Sequence, residues 1–333
     1  VNKRDSPEKT IYMLPKIDKR DRRLLLELDR NCRRPLKDLA KIVGGAIETT
    51  RYRIERLQTL GVIKNFLTVI DGGRVNFYYY KVFLKLYNVS EKEINKIIQD
   101  LVDDPRICWV VRVDGSFDIG FTPRVQNPRE QSEIFDKFRR KYAKHIKRWT
   151  LSVNLHMDFF ARDYLVSESR RSNPLGSYSS DKPTFVLDRS GDLVLTELAK
   201  APRSSARSIS DRTGLSIEVV LNRIKTFEKE KVIVRYSLVT NTDILQHVNF
   251  YVLIYLNHIN AEREQAFLRS CQSQPNIVYM IKSLGEWDYE LSIEAPTVAK
   301  YREVMMTLSR EFSDIIQEYN GMMVERLAKY VYP

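Results

Sequence analysis

The chain repeats itself. RVDGSFDIGF, Arg112 to Phe121, returns 170 positions later (282 − 112 = 170) as KSLGEWDYEL, Lys282 to Leu291. Gly, an aromatic residue and Asp fall in the same order at the same spacing. The register holds without a gap from Asp18/Asp188 to about Tyr142/Phe312, through Leu25/Leu195, Gly44/Gly214, Ile54/Ile224, Val82/Val252 and Pro105/Pro275. Apolar positions face apolar ones nearly throughout, and chance does not hold a register that long. Any fold for this sequence is therefore one unit built twice. Between the copies, SESRRSNPLGSYSSDKPT (Ser167 to Thr184) is rich in Ser, Pro and Arg and reads as a linker.

Each unit opens with helical periodicity. DRRLLLEL puts Leu24, Leu25 and Leu28 on one face. PLKDLAKIVGG adds Leu36, Leu39, Ala40 and Val43, with Gly44 and Gly45 as a stop. AIETTRYRIERLQTLG presents Ile47, Thr50, Ile54 and Leu57. VIKNFLTVI then alternates like a strand. Three short helices, a Gly-containing turn before the third and a strand after it describe a winged helix-turn-helix.

At about 100° per residue, Ile47, Ile54 and Leu57 are expected to point inward. Thr49, Tyr52 and Arg56 then point away, flanked by Glu48 and Arg53. In such a headpiece this outward face enters the major groove, and Thr and Arg suit base edges and phosphates. The candidate DNA-contacting residues are Glu48, Thr49, Arg51, Tyr52, Arg53 and Arg56 in copy one, and Glu218, Val219, Asn222 and Arg223 in copy two. The bland alternative is a solvated charged face. The turn, the strand and the basic surroundings weigh against it.

Charge separates the copies. The chain carries a formal +12, which suggests a polyanionic partner. Residues 16–45 hold ten basic side chains against five acidic, whereas residues 186–215 hold five against four. Phosphate neutralisation supplies most non-specific affinity, so the first headpiece is expected to bind DNA more tightly.

The second part of each unit reads strand, helix, strand, strand, helix, strand, the βαββαβ order of a ferredoxin-like domain. Its first strand, FYYYKVFLKLY, sets Tyr80, Val82, Leu84 and Leu86 on one side and Tyr79, Phe83 and Tyr87 on the other, among Lys81 and Lys85. Helices cover only one face of such a sheet. A second, equivalent sheet is the expected cover for the other, within or between chains. Gly115 and Gly285 allow a tight turn. Asp118 and Asp288 follow it, where a carboxylate beside free amides can hold the charged groups of an amino acid. The plainer reading is a turn glycine with a capping aspartate.

The expected architecture is α+β: a basic tail over 1–16, winged helix-turn-helix domains over 17–70 and 185–240, ferredoxin-like domains over 71–166 and 241–333, and the linker over 167–184.

The run IDKRDRRLLLELDRNCRRPLKDLAKIVGGAIETTRYRIERLQTLGVI, the βαββαβ half and the G-x-x-D loop together resemble the leucine-responsive/asparagine-regulator (Lrp/AsnC) transcription factors, nearly end to end and twice over. The resemblance implies a transcription regulator that binds double-stranded DNA through its headpieces. It also implies sheet-to-sheet self-association and a small effector, often an amino acid, near Gly115, Asp118, Gly285 and Asp288. This chain departs from the family by fusing two units.

Siroheme decarboxylases resemble the same architecture and resemble one another in a His-containing motif at the second and third strands. The corresponding VVRVDGSFDIGFT and MIKSLGEWDYELSI hold no histidine. Cys32, Cys108 and Cys271 lie far apart, and the four histidines are scattered, so no metal-ligand spacing appears. No nucleophile–base pair or phosphate loop stands out, so no enzyme activity, catalytic residue, metal or cofactor is expected. A low-specificity architectural DNA binder is the third reading. Few cysteines, a polar start (VNKRDSPEKT) and no apolar run near the roughly 18 residues of a membrane helix read as a cytoplasmic protein with no membrane partner.

Overall fold

The computed structural model describes residues 15–332 apart from residues 168, 171, 172, 182 and 259. The expected tail over 1–16 therefore lies almost wholly outside the described residues. Copy one contributes α1 (Lys19–Arg30), α2 (Leu36–Val43), α3 (Ile47–Thr59), β1 (Ile63–Ile70), β2 (Tyr78–Leu86), α4 (Glu91–Asp103), β3 (Ile107–Asp114), β4 (Ile119–Val125), α5 (Pro128–Tyr142) and β5 (Ile146–Phe159). After β6 (Gly176–Ser179), copy two contributes α6 (Arg189–Lys200), α7 (Ala206–Thr213), α8 (Ile217–Lys229), β7 (Ile233–Thr240), β8 (Val248–Leu256), α9 (Ala261–Ser273), β9 (Ile277–Gly285), β10 (Tyr289–Ala295), α10 (Val298–Glu311) and β11 (Ile316–Tyr330).

Within each copy the sheet has ferredoxin-like order, β5-β2-β4-β3 and β11-β8-β10-β9. The last strand of each copy also reaches the other copy. β5 pairs with β9 and β11 pairs with β3, both antiparallel, so eight strands close into a ring. The sheets thus cover one another within the chain.

Inside the ring an aromatic cluster joins the copies. Phe83 packs against Trp287 with centroids 5.7 Å apart, and Trp109 against Tyr251 at 5.4 Å. Buried side chains of this size contribute roughly 1.5–3 kcal/mol each. Tyr87 lies past the end of β2 and is exposed, so it does not join the covered face. The opposite face of β2, with Val82, Leu84 and Leu86, packs under Ile97, Leu101, Ile134 and Phe135 of α4 and α5, as the alternation requires.

The ring interior is not equivalent in the two copies. Lys81 and Tyr251 occupy matched positions (81 + 170 = 251), as do Gly120 and Glu290 (120 + 170 = 290). Lys81 donates to the Tyr251 hydroxyl at 2.8 Å and lies 3.4 Å from Glu290, both charged groups being buried. Glu290 also accepts from Tyr251 and, at 2.9 Å, from the Trp287 indole. A Cβ at Gly120 would sit 2.6 Å from the Phe83 ring, so a side chain has no room there.

Three sequence expectations are refined. The linker over 167–184 is not featureless, since β6 pairs with the end of β5 and Tyr178 is buried between rings. Two aromatic neighbours, Tyr79 and Phe159, hold it there. Each headpiece has a single wing strand, and its partner is the wing strand of the other copy: β1 and β7 form an antiparallel two-stranded ribbon. Ile47 is 41% exposed rather than inward, and Ile217 is 37% exposed. Each is the first residue of its helix, so the inward stripe starts one turn later, at Thr50 and Val220.

Candidate nucleic-acid interface

Each headpiece is assembled from its helix ends. In α1 a capping box forms: the Asp21 N–H donates to Asp18 at 2.7 Å and the Asp18 N–H donates to Asp21 at 3.2 Å. α2 and α7 both stop at a left-handed glycine, Gly44 (φ +71°) and Gly214 (φ +72°), which turns the chain into the third helix. Thr50, Ile54 and Leu57 then seat α3 on the leucines of α1, and Val220, Ile224 and Phe227 seat α8.

The two headpieces are one body. Arg33 donates to the carbonyls of Pro202 and Ser204 at 2.5 and 2.9 Å, while Arg203, its counterpart (33 + 170 = 203), donates to the Cys32 carbonyl at 2.6 Å. Such reciprocal contacts are the signature of a two-fold interface. A buried ionic knot ties this body to the ring. Asp29 on α1 accepts from Arg162 at 2.7 Å and from Ser237 at 3.0 Å, and Arg162 also grips Glu294 on β10 at 2.9 Å.

The outward faces of α3 and α8 stay open. Glu48, Thr49, Arg51 and Tyr52 are exposed, Tyr52 by 64%, and Arg51 lies 3.4 Å from Glu48. Glu218, Val219 and Asn222 are exposed on α8, together with Leu221, which the sequence reading passed over. It occupies the position of Arg51 (51 + 170 = 221), so the repeat itself was the signal that identifies it.

The remaining arginines are placed differently. Arg53 donates to Asp18 and Asp21 at 2.9 and 2.6 Å. Arg56 donates to Asp21 at 3.2 Å and to the Lys16 carbonyl at 2.8 Å. Arg223 bonds Asp188 in the same way. These side chains bind the third helix to the start of the first. The Asp21 N–H, followed by the Arg53 guanidinium, holds the Asp18 carboxyl below its ordinary range.

The third-helix starts also differ. Ser216 caps α8 by accepting from the Val219 N–H at 3.3 Å, whereas Ala46 gives α3 no side-chain cap. The first-turn N–H groups of α3 are thus open toward an anion, with the helix dipole behind them.

The glycine–aspartate loops sit at the far ends of β2 and β8. Asp118 accepts from the Leu86 N–H at 2.6 Å and from Lys85 at 2.8 Å, and Asp288 accepts from the Leu256 N–H at 2.7 Å. Both carboxylates therefore cap a neighbouring strand. Gly115 (φ +147°) lies against Met322 of β11, and Gly285 against Leu151 and Ser152 of β5, so each loop touches the other copy's last strand.

Comparison with known proteins places this geometry. Residues 17–58 match the AsnC-type helix-turn-helix domain, and residues 192–234 match a winged helix-turn-helix DNA-binding domain. An uncharacterized HTH-type transcriptional regulator of Pyrococcus furiosus is 29% identical over 148 residues, covering 44% of this chain and 95% of that protein. The first headpiece is thus of the AsnC type, and the chain is about twice the length that this relative matches. Regulator FL11 of Pyrococcus horikoshii, 28% identical over 120 residues, covers 36% of this chain and 78% of its own length. The fold over 95% of the chain is similar to that of the siroheme decarboxylase NirDL, covering 93% of that chain with a TM-score of 0.59 and 13% identity. At that identity the likeness concerns the fold. Among the described residues no helix is long and apolar enough to cross a membrane.

Proposed function

We propose that this Lrp/AsnC homologue is a sequence-specific regulator of transcription in which one polypeptide supplies both reading heads. The carrying observation is the pair of open helix faces, α3 and α8, on two headpieces locked by the β1–β7 ribbon and the reciprocal Arg33 and Arg203 contacts. One chain then does what a two-fold pair of single units does, and its half-sites lie about one helical turn of duplex apart, or a multiple of it. The cytoplasm is the compartment this reading implies, and no catalytic step belongs to it.

Selection of bound duplexes from random double-stranded DNA tests the reading. Recovery of two half-sites at fixed spacing supports it. Uniform footprints over unrelated DNA favour a low-specificity architectural binder and defeat it. An amino-acid effector at Gly115/Asp118 and Gly285/Asp288 is part of the same reading. It requires Asp118 and Asp288 to yield their strand-capping bonds, so a shift in DNA affinity on adding amino acids, lost in Asp118→Asn, is the expected sign. Decarboxylase chemistry has only the shared fold in its favour, and visible absorption on adding a tetrapyrrole tests it.

A further inference from the structure

We propose a second binding site, in the cavity between the strand ring and the headpiece ribbon, for a small aromatic carboxylate that also carries a ring N–H or O–H. The cavity has a volume of about 80 Å³. Its floor is Lys81 and Tyr251, its walls include the rings of Tyr79, Tyr178 and Tyr279, and its mouth carries Lys64 of β1 and Arg326 of β11 beside the carboxylates of Asp243 and Glu325. It lies at the opposite end of β2 from the Gly115–Asp118 loop, about 23 Å away for seven residues of strand.

Three independent features specify the ligand. Three buried polar atoms on the lining find no partner among the described residues: Asn154 Oδ1, Thr122 Oγ1 and Thr240 Oγ1. Asn154 spends its amide on the Tyr178 hydroxyl at 3.1 Å, so its oxygen wants a donor. A ligand N–H or O–H supplies the donor that such a group lacks. At the mouth, Lys64 and Arg326 are exposed and neither forms an ion pair among the described residues. Burial, followed by the opposing pull of Asp243 and then the charge of Arg326, sets the Lys64 ammonium below its ordinary range. Glu325 is paired with Arg112 and Asp243 draws on Lys64 from a distance, so an anion between the two cations completes their neutralisation. The floor cation does not compete for that anion, because Glu290 already neutralises Lys81.

Size and walls complete the description. A cavity of about 150 Å³ holds a benzene ring. The space here is about half that size and open at its mouth, so the ring enters only in part, between the tyrosines, and its acid group stays at the mouth. Val239, Thr240 and Thr242, at the end of β7 and just past it, line the same space, so an occupant touches the ribbon that carries both reading heads.

Calorimetric titration of the full chain without DNA tests the site, and keeps its fate separate from that of the DNA reading. The probes are 4-hydroxybenzoate and indole-3-carboxylate, with 4-hydroxybenzamide as the uncharged control. Saturable binding of the acids is expected. The paired exposed changes Lys64→Ala and Arg326→Ala should weaken it about tenfold or more, the loss of a charge-assisted hydrogen bond. They should leave any binding of the amide unchanged. Thr122→Val, nearly isosteric, should weaken the hydroxylated acid and leave the fold intact. Absence of acid binding at millimolar concentration, equal binding of acid and amide, or indifference to the mouth variants overturns the proposal.

Discussion

Helix α3 shows solvent Thr49, Arg51 and Tyr52, while the matched positions of α8 show Val219, Leu221 and Asn222. The frames around them share a plan: the same glycine stop, the same arginine clasp (Arg53 or Arg223), the same ribbon strand. The contrast teaches that geometry and chemistry have been kept separate. Spacing of the two heads is set by parts that match. On the DNA-binding reading proposed above, base preference is set by parts that do not. Arg grips guanine with two hydrogen bonds, Asn grips adenine, and apolar side chains favour the thymine methyl. The expected operator has symmetric spacing and asymmetric sequence, a guanine-bearing half opposite an A·T-bearing half.

The largest test of this division is inside the ring. Glu290→Gly gives copy two the residue of copy one and strands the buried Lys81 charge. Urea denaturation should report a loss of about 3–5 kcal/mol, and a neutral outcome would mean the interior asymmetry carries no weight. In the headpiece, Asp21→Gly copies Gly191 (21 + 170 = 191) and leaves Arg53 only its bond to Asp18 and Arg56 only its bond to the Lys16 carbonyl. These arginines reach solvent, so the cost should be smaller, about 2 kcal/mol, in the same assay. Arg51→Leu copies α8 onto α3. Gel-shift titration should show binding weakened about tenfold, with the guanine preference erased, since a bidentate base contact is worth about 1–3 kcal/mol. If Arg51→Leu and Leu221→Ala weaken binding equally, the two heads do not differ as described. Ala46→Ser, which gives α3 the cap that α8 has, should raise stability by about 1 kcal/mol or less while slightly weakening DNA binding.

Acid should not separate the copies. Helix N–H groups of Asp21 and Gly191 hold the carboxyls of Asp18 and Asp188 below the ordinary value of about 3.9. A depressed carboxyl contributes stability that is present above its unfolded pKa and lost as pH falls through the folded one. Both headpieces should therefore loosen together below about pH 4, and separate transitions would break the pairing.

The helices, the strand order and the repeat were legible because each rests on local periodicity, where a pattern of 3.6 or 2 residues decides the face. The need for a cover over the second face of β2 was legible too, from Tyr79 and Phe83 alternating with Val82 and Leu84. That the covering sheet belongs to the same chain was not, because the β5–β9 and β11–β3 pairings join segments whose own alternation is satisfied by any edge partner. Charge was the least legible property. Arg53 and Arg56 look like groove-facing cations in the sequence, and only the fold brings Asp18 and Asp21 beneath them. Lys81 and Glu290 lie 209 positions apart (290 − 81 = 209), and nothing local hints that they meet. Asp118 and Asp288 illustrate the converse, since the plainer reading of a capping aspartate describes their hydrogen bonds.

The crossed last strands have a consequence for how such a molecule changes over generations. When two identical chains associate, every altered codon alters both arms at once, and a head that drifts toward a new sequence takes its twin with it. Here each arm is encoded separately, and the reach of β5 and β11 into the other copy leaves neither four-stranded sheet of the ring a vacant edge on which to recruit a foreign copy. Partners that cannot be reshuffled are free to diverge, and an arginine in one arm can face a leucine in the other without any mixed population to dilute the distinction.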